Sequence, residues 1–224
     1  MTGDGLERFI FHVAEALRVP VLILAVVALG LVLMELGGFV VELLRRRRRD
    51  FSRLERAIDT AEDALRQGDT DGARAALRRV SWSTAMETAA SGLVLEIGHD
   101  DRLAKQLADF DFGSLRRLER TRMLVRAGPA LGLMGTLIPL SPALAGLAAG
   151  NVQKLSDNLR VAFSVTVLGL LTGALAYGIS LVRDRLYGQD LSDLEYIASA
   201  LGAHQIAASE RSAAAGDPAG EDKA

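Results

Sequence analysis

The sequence predicts an all-α membrane protein: three transmembrane helices with a cytoplasmic helical insertion between the first and the second. Three observations carry that expectation. No charged side chain occurs between Ala127 and Gly150, nor between Val161 and Val182. A further apolar run, Val19 to Leu44, ends directly on Arg45 to Arg49. Each run exceeds the roughly 20 residues a helix needs to cross about 30 Å of hydrocarbon. Elsewhere the apolar positions recur at helical spacing, with no useful strand-like alternation.

Composition agrees. Half of the 224 residues are hydrophobic and the formal net charge is −2, a balance suited to a small polytopic membrane protein. The chain contains no cysteine, which excludes disulfides and thiolate metal sites. His12, His99 and His204 are widely separated, so neither a metal site nor a cofactor is expected.

Residues 1–18 place Leu6, Phe9, Ile10, Val13 and Leu17 opposite Asp4, Glu7, Arg8 and Glu15. This pattern predicts an amphipathic helix on the outer membrane surface. The first span, 19–44, is too long for a signal-peptide core and is followed by no small-residue cleavage site. The arginines after it stay in the cytoplasm under the positive-inside rule, so the N-terminus faces out. Beside a span they read as a membrane anchor, and no nucleic-acid partner is expected.

Glu35 and Glu42 interrupt this span on one helix face, seven residues apart. A carboxylate as deep as Glu35 must face protein, water or a partner charge. An ion relay or subunit contact, and a buried packing role, both remain open for it.

Residues 45–126 form the cytoplasmic helical region. Leu54, Ile58, Ala61 and Leu65 share one face, and Gln67 to Gly72 make a turn. A second helix starts near Ala73, a third covers about 84–97, and a fourth runs from Leu103 toward the second span. Arg116, Arg117, Arg120, Arg122 and Arg126 mark the cytoplasmic side again. The second span is 127–149, an outer loop covers 150–160, and the third span is 161–182. Residues 183–202 form a cytoplasmic C-terminal helix, with Asp190 capping Leu191 to Leu201 and Gly202 stopping it. Residues 203–224 are poor in bulky apolar side chains and are expected to be disordered. The topology is N-terminus out, C-terminus in.

The second and third spans are rich in small and hydroxylated residues, including Gly128, Gly132, Gly135, Thr136, Ser164, Thr166, Gly169, Thr172 and Gly173. In lipid such faces let helix backbones approach closely, so this pair is expected to pack against protein. Pro129, Pro139 and Pro142 each remove a backbone donor, and the outer half of the second span is expected to be kinked or broken. G-x-x-x-G at Gly128 and Gly169 lies inside apolar runs and is a packing motif, not a phosphate loop. No nucleophile triad or P-loop is present. The chain is therefore read as a transport, assembly or scaffolding protein and not an enzyme.

The segment R-A-G-P-A-L-G-L-M-G-T resembles the proline-containing A-P-L-L-G-L-x-G-T segment of the MotA/TolQ/ExbB proton channel family. V-A-F-S-V-T-V-L-G-L resembles that family's threonine-centred motif. The order of spans and insertion is similar too. The resemblance implies a ring-forming homopentamer, a proton channel and stator, whose second and third spans surround a single-span partner of the ExbD, TolR or MotB kind. It implies that Thr136 and Thr166 face the partner's essential aspartate. Pro129, Gly132, Ser164 and Gly169 then line the pore with them. A hydroxyl suits both protonation states of a carboxyl group, since it donates and accepts. One departure stands out. The third-span glutamate of some members is replaced here by Val161, so the titrating group must come from the partner or from Glu35. The alternative is a non-conducting membrane scaffold that oligomerises and recruits partners through its cytoplasmic helices.

Overall fold

The computed structural model describes residues 3–46, 51–81 and 83–215, with side chains for 5–46, 52–81 and 83–202. Among these residues all regular structure is helical: α1 Gly3–Ala16, α2 Arg18–Arg46, α3 Phe51–Arg66, α4 Thr70–Arg78, α5 Thr84–Leu95, α6 Asp100–Ala148 and α7 Val152–Ala215. Three stretches, Gly5–Arg46, Asp100–Ala148 and Val152–Gly202, are long and apolar enough to cross a membrane. Arg47 to Arg49 and residues 216–224 of the expected tail lie outside the described residues.

Two compact units are present, Met1–Val41 with Arg117–Arg183, and Glu42–Arg116 with Asp184–Ala224. In the first, Val32, Ala176 and Ile179 form a small buried cluster flanked by Leu29, Leu36, Phe39, Leu124, Val125 and Leu175. Most of the remaining apolar surface is uncovered. Only 22 %, 28 % and 39 % of the most apolar windows of the three stretches is buried within the chain. Side chains such as Met34, Leu133, Phe163 and Val167 point outward. A water-soluble monomer does not expose that much contiguous apolar surface; lipid or further copies must cover it.

The second unit has a conventional core. Leu54, Ile58 and Ala61 of α3 meet Leu77 of α4 and Met86 and Leu93 of α5, with Phe110, Leu194 and Ile197 closing the cluster. The turn expected at Gln67 to Gly72 is shorter, Gln67 to Asp69, because α4 already begins at Thr70. Gly68 adopts φ +76°, a conformation that a side chain disfavours. Asp69 then caps α4 by accepting from the Gly72 amide at 2.8 Å. Ser83 caps α5 in the same way through the Met86 amide.

Several expected boundaries differ. Pro20 lacks the amide that would bond back to Ala16, which accounts for the break at Leu17 between α1 and α2. The boundary expected at 126/127 divides no helix, since α6 runs unbroken for 49 residues, about 74 Å. It passes through Pro129, Pro139 and Pro142 without interruption, so of the kink or break expected in the outer half of the second span, the break is absent. No separate C-terminal helix begins at Asp190. α7 is continuous from Val152, through Gly202, to Ala215, and residues 203–215 of the expected disordered tail are helical in backbone.

The loop expected at 150–160 shrinks to 149–151. Gly150, at φ +73°, and Asn151 return their amides to the carbonyls of Leu147 and Gly146 and close α6. The Asn151 side chain then accepts from the Lys154 amide and starts α7.

Candidate functional site

The tight turn folds α6 and α7 into an antiparallel hairpin, and their glycines set its register. Gly146 lies beside Lys154, Gly135 beside Val165, Gly132 beside Thr166, and Gly128 beside Gly169 and Gly173. There is no room for side chains at the last of these. A Cβ on Gly169 would lie 2.5 Å from the Gly128 carbonyl oxygen and 2.7 Å from the Gly132 Cα. One on Gly128 would lie 2.7 Å from the Gly169 carbonyl oxygen. The two backbones are in direct contact, the arrangement small-xxx-small patterns allow in lipid.

Pro129 belongs to this contact. It removes the donor that would have bonded to the Val125 carbonyl four residues earlier. Gly173 packs against both groups: a Cβ there would fall 2.8 Å from Pro129 Cδ and 3.4 Å from the Val125 oxygen. α6 tolerates the proline because its ring enters the space that a second glycine leaves open.

The hydroxyls lie around the same register. Thr166 Oγ1 donates to the Ala162 carbonyl at 3.0 Å and stands 3.4 Å from the Gly132 carbonyl across the interface. Thr136, one turn beyond Gly132, donates to the Leu133 carbonyl at 2.7 Å. Ser164 falls at the level of Thr136 but is turned about 200° from Thr166 around α7. It is exposed and donates to the Arg160 carbonyl. The structure therefore joins Gly128, Pro129, Gly132, Thr166 and Gly169 in one packed seam with Thr136 beside it, while Ser164, at the level of Thr136, lies on the opposite face of α7. The threonine protons are committed to carbonyls of their own helices, while the hydroxyl oxygens keep acceptor capacity. In this state they suit a group that donates, such as a carboxylic acid.

Glu35 lies elsewhere in the same unit. Its Oε2 accepts from Arg183 Nη1 of α7 at 2.5 Å, and the same nitrogen is 3.5 Å from Thr121 Oγ1 of α6. Arg183 and Thr121 are both buried. In the second unit Arg46 is buried too. Its two Nη atoms each donate to an Asp190 carboxylate oxygen at 2.6 Å. Glu42 accepts a further bond at 3.2 Å and the Leu186 carbonyl one at 3.3 Å. The Tyr187 ring centroid is 6.0 Å from the guanidinium carbon. A fork-on-fork pair with extra acceptors is the geometry that makes a buried charge tolerable.

The sequence alone reads Arg46 as one of five cytoplasmic arginines after the first span and Asp190 as a helix cap, and neither pairing follows from those readings. The available signal was a lone acid in an apolar run, which calls for a counter-ion on another span.

The sequence profile of the MotA/TolQ/ExbB proton channel family matches residues 74–194, more than half of the chain. The matched region contains both glycine motifs of the hairpin, Thr136 and Thr166. No curated protein matches the chain. With three helices able to span a membrane, two of them forming this hairpin, the chain belongs to the MotA/TolQ/ExbB proton channel family.

Proposed function

We propose that this chain is the pore-forming stator subunit of a membrane motor driven by ion-motive force. It forms a homopentamer in the inner membrane, with its N-terminus outside and its C-terminus in the cytoplasm. Its second and third spans surround a single-span partner of the ExbD, TolR or MotB kind. Proton flow past Thr136 and Thr166 is coupled to mechanical work or transport by that partner.

The observation that carries the reading is the hairpin. Its glycine-lined seam falls inside the region the family profile matches, and it sets threonine hydroxyls from both helices near one level. Neither of these spans holds a carboxylate, so the titrating group is assigned to the partner. A hydroxyl can follow that group through both protonation states without being consumed. The uncovered apolar surface supports assembly into a larger body.

Co-expression with a candidate partner, followed by native mass measurement of the extracted complex, tests the assembly. The expected result is five copies of this chain around two partner chains. Five copies that never retain a partner would instead favour the scaffold reading, in which the cytoplasmic helices do the recruiting.

A further inference from the structure

The first span is not fastened to the hairpin in the way the hairpin is fastened to itself. Cβ atoms placed on Gly30 and Gly37 of α2 would meet nothing within 4 Å, so these glycines serve no close approach of backbones within the chain. The buried apolar contact is also small, centred on Val32, Ala176 and Ile179. In lipid, apolar side chains gain little by leaving the tails for one another. Specific polar contacts then carry more of the attachment. Arg18 Nη2 donates to Asn158 Oδ1 at 2.9 Å near one end of α2. Seventeen residues on, about 25 Å along the helix, Glu35 meets Arg183.

We propose that Glu35 is a positioning residue: its carboxylate holds the Arg183 guanidinium in place beside Thr121, so one charged contact ties the first span to both helices of the hairpin. The surroundings suit a fixed pair. Val32 and Ile179, each about one turn before the charged residue on its own helix, are buried. Gly38 lies beside the guanidinium, since a Cβ there would be in ordinary contact with Arg183 Nη2 at 3.8 Å. A guanidinium does not give up its proton in proteins, so Arg183 cannot pass a proton to Glu35 or take one from it. Glu35 acts through Arg183 and is not the proton carrier. This assignment does not depend on the channel reading.

The test uses the full chain in lipid nanodiscs, with Glu35→Gln, Arg183→Gln and the double variant. Arg183 is buried and Glu35 half-buried, so each single change strands one charge, while the double change removes both. The expected result is a melting temperature lowered by about 5 °C or more in each single variant, with the double variant more stable than the worse single one. A Glu35→Gln protein that melts like the unaltered chain, or losses that simply add in the double variant, would overturn the proposal.

If the single variants cannot be purified, the absence of native cysteine permits a second route. Cysteines at positions 35 and 183 should be joined within one chain by a short bis-maleimide in isolated membranes, and failure to link them would overturn the proposal. A third readout separates positioning from relay. With the partner present, the double variant should recover proton flux lost in Glu35→Gln, whereas a relay residue would leave both equally inactive and overturn the assignment. An unaltered chain without flux would count against the channel reading and leave the melting and cross-linking results standing.

Discussion

Gly169→Val is expected to remove the folded hairpin altogether. The atoms that a side chain at 169 would strike are backbone, the Gly128 carbonyl oxygen and the Gly132 Cα and amide nitrogen. No rotamer change relieves such a clash; the helices must separate or slide. Overpacking that side chains can absorb already costs about 1–3 kcal/mol, and here the seam that carries Thr166 would have to open. The change should therefore exceed that range and appear as aggregated or degraded protein after extraction. Gly169→Ala should show a milder form of the same defect.

Gly178→Ala, nine residues further along α7, is the control, since a Cβ there meets nothing within 4 Å. Alanine is the better helix former by about 1 kcal/mol, so this variant should extract and melt at least as well as the unaltered chain. Size-exclusion profiles and melting curves of the three variants check the prediction. Equal behaviour of Gly169→Val and Gly178→Ala would mean that the two backbones are not in contact.

Thr136→Val and Thr166→Val are expected to act on function with little effect on folding. Valine keeps the branched shape and replaces the hydroxyl with a methyl group. Both hydroxyls bond to carbonyls of their own helices, which already carry helical bonds, so their removal should shift stability by less than about 1 kcal/mol. If these oxygens meet the partner's carboxyl group, each replacement removes a polar contact needed as that group changes protonation state. Proton flux measured with the partner present should fall at least about tenfold, corresponding to about 1.4 kcal/mol on the barrier. Thr→Ser at either site should retain most of the flux, because the hydroxyl survives. Flux unchanged in both valine variants would remove these positions from the conduction path.

How much of this was legible in the sequence depends on how far each signal reaches along the chain. The spans were visible because hydropathy is a local property, and the helices around Leu54 and Ala73 because their apolar positions recur with helical period. The glycine seam was half visible. Small residues on both spans pointed to close packing, but the pairing of Gly128 with Gly169 and Gly173 required the turn, and the turn was misplaced. Gly150 followed by Asn151 is a local stop-and-start signal, a positive-φ glycine and then a cap, and it outweighs the polar character of the next nine residues.

The helix ends at the membrane surface were misread for a different reason. The change from polar to apolar sequence near Arg126 marks a change of environment, and an α-helix can cross that change without interruption. Asp190 precedes a helical stretch and so looked like a cap, yet its carboxylate is used by Arg46, 144 residues away. Arg183 and Glu35 are 148 residues apart. Pairings of that kind leave no periodic trace and emerge only in the folded chain.

The channel reading rests on one requirement, that conduction needs this chain's threonine-bearing hairpin together with a carboxyl group supplied by another chain. It is tested most directly by proton flux into liposomes containing this protein alone, with the candidate single-span partner, and with that partner's intramembrane Asp→Asn variant. Flux is expected only when both chains are present and the aspartate is intact. Flux of equal size without the partner, or with its Asp→Asn variant, would contradict it.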